Sequence, residues 1–325
     1  MPTLTRRALG VLALAFALTG ALPAAAQDAF PVTLTHVYGE TTIPAPPQRI
    51  VTIGWMTQDA VLALGQVPVA IPEQKWGGDE KGVLPWVRKA IDRLGGPEPK
   101  IINFDSDIPY EDVLATQPEL ILAPYSGVTQ EQYDRLSAIA PTVAYASAAW
   151  AASWQDVTLI AGKALGKSAE AQALIDATSA KLAEAASAHP EFAGKTFTFG
   201  SLWVGEAGMN VYSKTDPRVY LLEELGLKAS AGVEELSKQP GYYFTVSYEN
   251  LATLDADVAI TLDEGDAASD ALYQSPLVQR FKPIADGRHV RMTDKSFVMA
   301  TSAPSALSIP WMLDRFIPEL ASRLK

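Results

Sequence analysis

Large aromatic side chains stand at or near the ends of several predicted strands, where they could contact a ligand. Trp55 directly follows an apolar run at residues 49–54, and Trp203 lies soon after another at residues 195–199. Aromatic rings offer large, flat contact surfaces at a small cost in side-chain entropy. This pattern favours a bulky, partly aromatic ligand. The candidate ligand-binding aromatic residues are Trp55, Trp76, Tyr125, Trp203, Tyr242 and Tyr243.

Basic residues near the same loops could orient a negatively charged ligand through charge-assisted hydrogen bonds. Arg218 is the main candidate, and Lys75 is a second. Arg218 has a competing interpretation, because it could simply pair with a carboxylate at the start of a helix. Arg88 and Lys214 also lie close to these loops in the sequence.

Residues for metal binding and catalysis are sparse. The chain has no cysteine, and its three histidines, His36, His189 and His289, are far apart in sequence and are expected on the surface or in loops. A tightly bound transition metal would need several such ligands close together. Neither a zinc-protease motif, a nucleophile elbow nor a glycine-rich phosphate loop is present. We therefore expect no catalytic residues, no bound metal and no resident cofactor.

Alternating strands and helices are predicted to position the aromatic residues. Residues 49–54 and 67–71 read as buried strands, with a helical pattern at 58–64 between them. Two strands joined in this way lie parallel. The alternation continues with helices at 110–117 and 130–140 and strands at 120–123 and 142–145. It predicts a doubly wound α/β domain, whose ligands bind beyond the carboxyl ends of the strands.

The second half of the chain predicts a related domain after a long helix. Residues 168–188 contain no proline or glycine, and a helix of about 20 residues spans roughly 30 Å. The fold class is therefore α/β, with two Rossmann-like lobes at residues 27–165 and 191–325 joined by a single helix at 166–190. Beyond this helix we predict strands at 195–199, 258–262 and 288–292, and helices at 219–225, 248–254 and 313–324.

The N-terminus resembles an export signal. Arg6 and Arg7 precede an apolar stretch at residues 8–22, and a small-residue cleavage site ends at Ala26. We expect residues 1–26 to be a cleavable signal peptide, and the paired arginines fit a twin-arginine signal. Without cysteine, the mature protein can carry no lipid on a cysteine and is expected to be free in the periplasm.

The acidic balance of the chain argues against nucleic acid as a partner. The formal net charge is −11, and removal of Arg6 and Arg7 leaves 24 basic residues against 37 acidic ones, a net charge of −13. Phosphate recognition needs a clustered positive surface. No second long apolar run follows the signal, so the mature protein is expected to be soluble.

A short pattern occurs twice in the chain. YEDVLATQPELIL at 110–122 aligns without a gap to YENLATLDADVAI at 248–260, which matches Glu111 to Glu249. Each copy is predicted to form a helix that leads into a buried strand. The repetition indicates two lobes of related build, with equivalent glutamates near the starts of equivalent helices. A glutamate in a first helical turn would also suit the helix dipole, by about 0.3–1 kcal/mol.

The chain resembles the periplasmic proteins that bind ferric siderophores, haem or cobalamin for ABC importers, and the ferric-siderophore branch is the most similar. The resemblance implies two α/β lobes on a helical backbone, a ferric siderophore bound in the cleft between them, and no enzymatic activity. Glu111 and Glu249 would pair with arginines of the two permease subunits, and the protein would act as a monomer. The resemblance rests on PQRIV at 47–51, YE at 110–111, PELIL at 118–122, YSG at 125–127, IAPTV at 139–143, DPR at 216–218 and LSIPW at 307–311.

Two alternatives remain open at this point. Haem or cobalamin could occupy the cleft of the same fold instead of a siderophore. An exported siderophore esterase is the alternative from another class, with Ser126 and Ser201 as candidate nucleophiles. The scattered histidines give such an enzyme little support, because a nucleophile needs an adjacent base.

Overall fold

A computed structural model describes residues 28–104 and 107–324 of the chain. The strands are β1 (Val32–His36), β2 (Gly39–Ile43), β3 (Ile50–Gly54), β4 (Ala70–Pro72), β5 (Lys100–Ile102), β6 (Leu120–Tyr125), β7 (Thr142–Val143), β8 (Thr196–Ser201), β9 (Gly208–Tyr212), β10 (Lys228–Ala229), β11 (Tyr243–Ser247), β12 (Val258–Leu262) and β13 (His289–Met292). The α-helices are α1 (Thr57–Ala63), α2 (Pro85–Leu94), α3 (Tyr110–Ala115), α4 (Gln130–Ser137), α5 (Trp154–Leu165), α6 (Ser168–Ala188), α7 (Pro217–Glu224), α8 (Ala231–Leu236), α9 (Ala267–Tyr273), α10 (Lys282–Ala285), α11 (Lys295–Ser302) and α12 (Ser308–Arg323). Short 3-10 helices span Pro190–Phe192, Tyr248–Leu254 and Val278–Arg280.

The first large sheet is fully parallel, in the strand order β5-β4-β3-β6-β7. Every residue of β3 and β6 is buried, as expected for strands covered on both faces. The predicted strand at 67–71 begins only at Ala70, because Pro68 has no N–H to offer a neighbouring strand. The strand order reverses between β3 and β6, and such a switch point is where ligands of open α/β sheets bind.

The second large sheet combines parallel and antiparallel strands, in the order β11-β9-β8-β12-β13. Strands β8, β12 and β13 are parallel, and β10 pairs in parallel with the first half of β8. Strands β9 and β11 form an antiparallel pair along the second half of β8, and neither was predicted from the sequence. The predicted helix at 248–254 is a 3-10 helix.

Helix α6 lies between the two sheets in the chain and is 21 residues long. We call the part before it the first lobe and the part after it the second lobe. Each large sheet takes all its strands from one lobe, whereas the exact lobe boundaries at 165 and 190 stay a prediction. The lobes also touch directly, because the Trp86 and Trp311 rings lie 5.1 Å apart and one apolar cluster runs through both lobes.

The predicted signal peptide at residues 1–26 lies outside the described residues. Across residues 28–104 and 107–324, we find no helix whose length and apolar character would let it cross a membrane.

Candidate ligand-binding site

Two adjoining cavities lie at the carboxyl ends of the strands. The switch-point cavity, of about 310 Å³, is bordered by residues that follow β3 and β6, including Gly54 and Gly127. The interlobe cavity, of about 470 Å³, is bordered by residues of both lobes, including Trp76 of the first and Trp203 of the second. The two cavities share Trp55, Glu73 and Gln74 and together form the cleft.

Gly54 fixes the backbone at the switch point. Its φ is +103°, in the region that favours glycine, and a Cβ built there would lie 2.0 Å from the carbonyl oxygen of Tyr125. Strands β3 and β6 can therefore approach closely only with glycine at this position. The close approach places Trp55, the next residue, at the junction of the two cavities.

An aromatic cluster forms the first lobe's side of the cleft. The Trp55 and Trp150 rings lie 5.7 Å apart, and Trp150 meets the Tyr125 ring edge-on at the same distance. Trp55 and Trp150 remain 39% and 37% exposed, whereas Tyr125 is buried. Trp150 was missed in the sequence analysis, although it follows the predicted strand at 142–145. Its φ of +59° is rare for a bulky residue.

The second lobe contributes rings and apolar side chains to the interlobe cavity. Trp203 borders this cavity together with Trp55 and Trp76, and Tyr212 of β9 borders it as well. Tyr212 was missed because β9 was not predicted. Met299 of α11 also lines the cavity. The structure thus brings Trp55, Trp76 and Trp203 together around one space.

Arg218 lies on the same wall but is already paired. Its guanidinium donates to Asp216 at 2.7 Å and to Ser302 at 3.1 Å, and it stacks 3.9 Å from the centre of the Tyr212 ring. Asp216 is the N-cap of α7 and also accepts from the Arg218 backbone N–H. Burial raises the pKa of Asp216, and the guanidinium acts in the opposite direction. Arg218 therefore pairs with a carboxylate at a helix start and also borders the interlobe cavity, whereas its role in orienting a ligand stays a prediction.

The remaining predicted ligand-binding residues differ in their placement. Lys75 borders the interlobe cavity and lies 3.8 Å from Glu73. Tyr242 and Tyr243 begin the β11 region, are 52% and 43% exposed, and do not border either cavity of the cleft. Burial raises the pKa of Tyr242, and the charge of Arg218 opposes this shift.

Two other basic residues near the loops lie outside the cleft lining. Arg88 pairs with Glu98 and Asp79, and Lys214 pairs with Glu234 at 2.8 Å. These three ion pairs are at least partly exposed, and an exposed ion pair contributes about 0–1 kcal/mol.

The histidines do not form a metal site. His36 is buried in β1 beside Thr41, and His289 lies in β13 and bonds Thr261 at 2.6 Å, so the expectation of surface or loop positions is wrong for both. Burial lowers the pKa of His289 to about 4, which keeps it neutral. Across the described ranges, no group of three or more His, Asp and Glu residues is placed to hold a metal ion.

The two serines proposed as nucleophiles have structural surroundings. Ser126 is buried, donates to the Ala123 carbonyl at 2.8 Å and accepts from the Val128 N–H. Ser201 is buried in β8. A serine nucleophile needs a base within hydrogen-bonding distance. The hydrogen-bond partners of His36, His189 and His289 include Thr41, Glu191 and Thr261, respectively.

Glu111 and Glu249 occupy equivalent places in the two lobes. Each is exposed and lies nine residues before a strand, counting from 111 to 120 for β6 and from 249 to 258 for β12. Strand β6 pairs in parallel with β3, and β12 pairs in parallel with β8. The two glutamates therefore precede corresponding strands of the two sheets.

A second matched pair of carboxylates supports this equivalence. Glu119 accepts the Gln48 backbone N–H at 2.6 Å, just before β3, and Asp257 accepts the Thr196 N–H at 2.8 Å, at the start of β8. In the gapless alignment of the repeated pattern, Glu119 matches Asp257. Glu119 therefore stabilises the start of β3, which pairs with β6, and Asp257 stabilises the start of β8, which pairs with β12.

Comparisons with known proteins agree with this architecture. The sequence profile described as "periplasmic binding protein" matches residues 50–296. PiaA of Streptococcus pneumoniae TIGR4, solved in complex with ferrichrome, is 33% identical with a TM-score of 0.81, covering 90% of this chain and 98% of that chain. A periplasmic solute binding protein from Mycobacterium smegmatis strain MC2 155 is 34% identical with a TM-score of 0.78, covering 90% and 99%. The probable siderophore-binding lipoprotein YfiY of Bacillus subtilis (strain 168) is 28% identical over 294 residues, covering 87% of this chain and 85% of YfiY.

Proposed function

Since the chain belongs to the periplasmic binding protein family, we propose that it binds a ferric siderophore in the cleft and delivers it to an ABC importer. The observation that carries this proposal is the interlobe cavity, where Trp55 and Trp76 of the first lobe face the same space as Trp203 of the second. PiaA, a similar protein by sequence and structure, was solved with ferrichrome, and YfiY is named a probable siderophore-binding lipoprotein.

The chemistry of the cleft suits capture of a preformed complex rather than reaction. Indole faces contact the organic shell of a chelate through dispersion and removal of apolar surface from water. Iron in such a complex is cargo that arrives with its own ligands, so the protein needs no metal-binding group of its own. We therefore propose a binding protein without enzymatic activity, exported to the periplasm through the predicted signal at residues 1–26.

The permease is the proposed second partner. A transporter with two related subunits can be met by a protein that presents one anion on each lobe, and Glu111 and Glu249 lie at equivalent positions of the two lobes. Both side chains are exposed and accessible for pairing with arginines. We propose that a monomer of the protein docks through these two glutamates.

Tryptophan fluorescence tests the ligand directly, because three of the seven tryptophans border the interlobe cavity. Titration with ferrichrome should quench emission to saturation at one complex per chain. Trp203→Phe should reduce this quenching, whereas Trp154→Phe, which alters a buried ring of α5, should not. Quenching by haemin or cobalamin alone would show that this compound, and not a siderophore, is the ligand of the cleft. Release of hydrolysed siderophore during incubation would instead support the esterase.

A further inference from the structure

We propose that the cleft selects ferric complexes without net charge, which makes an iron(III) trihydroxamate its substrate class rather than an anionic ferric carboxylate or tris-catecholate. This inference rests on the proposed function and concerns the same cleft. It follows from how the charged side chains of the interlobe cavity are paired.

Arg218, which borders the interlobe cavity, is neutralised by the buried carboxylate of Asp216. Arg218 is 8% exposed and Asp216 is 2% exposed, and their side chains lie 2.7 Å apart. The Nε of Arg218 donates to Ser302, and Tyr212 covers one face of the guanidinium. An incoming anion would therefore meet an ion pair of zero net charge rather than a free guanidinium.

The remaining charged side chains that border the interlobe cavity are also paired. Glu264 lies 3.0 Å from Lys295, and Glu73 lies 3.8 Å from Lys75 and accepts a hydrogen bond from Asn103 at 2.7 Å. Among the described residues, the charged lining of this cavity consists of two acids, Glu73 and Glu264, and two bases, Lys75 and Arg218. The described charged residues that border the adjoining switch-point cavity are two acids, Glu73 and Asp107.

This arrangement penalises an anion. A charged ligand must lose hydration on entering the cleft, and side chains that are already paired recover less of that cost than an uncompensated opposite charge would. The acidic chain, with a net charge of −11 in full and −13 without the predicted signal peptide, also repels anions at long range. Iron(III) bound by three hydroxamates is uncharged, whereas three catecholates leave three negative charges and citrate complexes are anionic. Aromatic walls interact with an uncharged shell without any such cost.

Separate titrations with charged and uncharged ferric complexes measure this selectivity. Affinities for ferrichrome, ferric enterobactin and ferric dicitrate should be obtained by fluorescence titration at low and high salt. We expect ferrichrome to bind at least about 100-fold more tightly than either anion, with little dependence on salt. Anion affinities equal to or above that of ferrichrome would overturn the inference and leave the proposed function standing. If none of the three binds, the proposed function itself is wrong.

Two variants each remove the negative charge that pairs with one cation, and both should shift the selectivity. Asp216→Asn keeps an N-cap acceptor for α7 but leaves the charge of Arg218 uncompensated. Glu264→Gln, at a half-exposed side chain, does the same for Lys295 and carries little risk to folding. We expect each to raise the anion-to-ferrichrome affinity ratio about 10-fold. Asp314→Asn changes the net charge equally on the exposed face of α12 and should leave the ratio unchanged. An unchanged ratio in folded Glu264→Gln would contradict the inference.

Discussion

Replacing Asp59 with asparagine should make the folded protein more stable at neutral and alkaline pH. Asp59 lies on α1, and one carboxyl oxygen, Oδ2, accepts from Trp86 at 2.6 Å and from Ser305 of the second lobe at 2.6 Å. Its other oxygen and Oε1 of the adjacent Gln58 are buried and have no hydrogen-bond partner within the described ranges. A proton on Asp59 would supply the missing donor, and an asparagine amide would supply one at every pH.

The size of the effect follows from the pKa. Burial raises the pKa of Asp59 from 3.8 to about 7, with the hydrogen bonds from Ser305 and Trp86 acting in the opposite direction. Between these values the folded state holds a proton that the unfolded state has released, so stability falls as the pH rises and is level above about 7. At about 1.4 kcal/mol per pH unit, the free energy of unfolding falls by roughly 4 kcal/mol over this range. An unfolding entropy of about 0.6 kcal/mol/K for some 300 residues converts this loss into about 6 °C in Tm.

Thermal unfolding followed by circular dichroism gives the Tm of wild type and of Asp59→Asn. The difference between the two Tm values does not depend on the titration of the other groups, because both proteins share them. The Tm of the variant should exceed that of wild type by about 6 °C at pH 8 and by about 1 °C at pH 4. Asp92→Asn, at an exposed carboxyl of α2, should match wild type at both pH values. A Tm difference that does not change with pH, or a variant less stable than wild type at pH 8, would refute the reasoning.

Three further predictions concern the cleft and the docking surface. Trp150→Ala should weaken ferrichrome binding about 10-fold through loss of an exposed ring from the aromatic cluster, measured by titration. Gly54→Ala should lower the free energy of unfolding by more than about 2 kcal/mol, measured in urea, since a Cβ there meets the Tyr125 carbonyl. The double variant Glu111→Ala with Glu249→Ala should keep ferrichrome affinity but lose iron uptake in cells, and unchanged uptake would remove the docking assignment.

Elements stabilised by local pattern or uniform burial were predictable from the sequence. Helix α6 and strand β12 coincide with the predicted spans at 168–188 and 258–262. The first is rich in alanine without glycine or proline, and the second is an apolar run buried along its whole length. Strands β9 and β11 were missed because they are stabilised by each other across about 30 intervening residues, and no residue of β11 is fully buried.

The cleft was predictable where residues directly follow parallel strands. Trp55 and Trp203 were found in this way, and both border the interlobe cavity. Trp150 was missed because its position depends on a loop with a left-handed backbone, which nothing in its neighbours specifies. The sequence could suggest the ion pair between Arg218 and Asp216 but could not establish it, because the pair depends on burial of both side chains.

A crystal structure of the protein grown with ferrichrome would show whether a ferric siderophore lies between the two lobes. We expect one iron complex in the interlobe cavity, in contact with Trp55 of the first lobe and Trp203 of the second. An empty cleft at saturating ferrichrome, or a complex bound to one lobe outside this cavity, would show that the siderophore does not bind between the lobes.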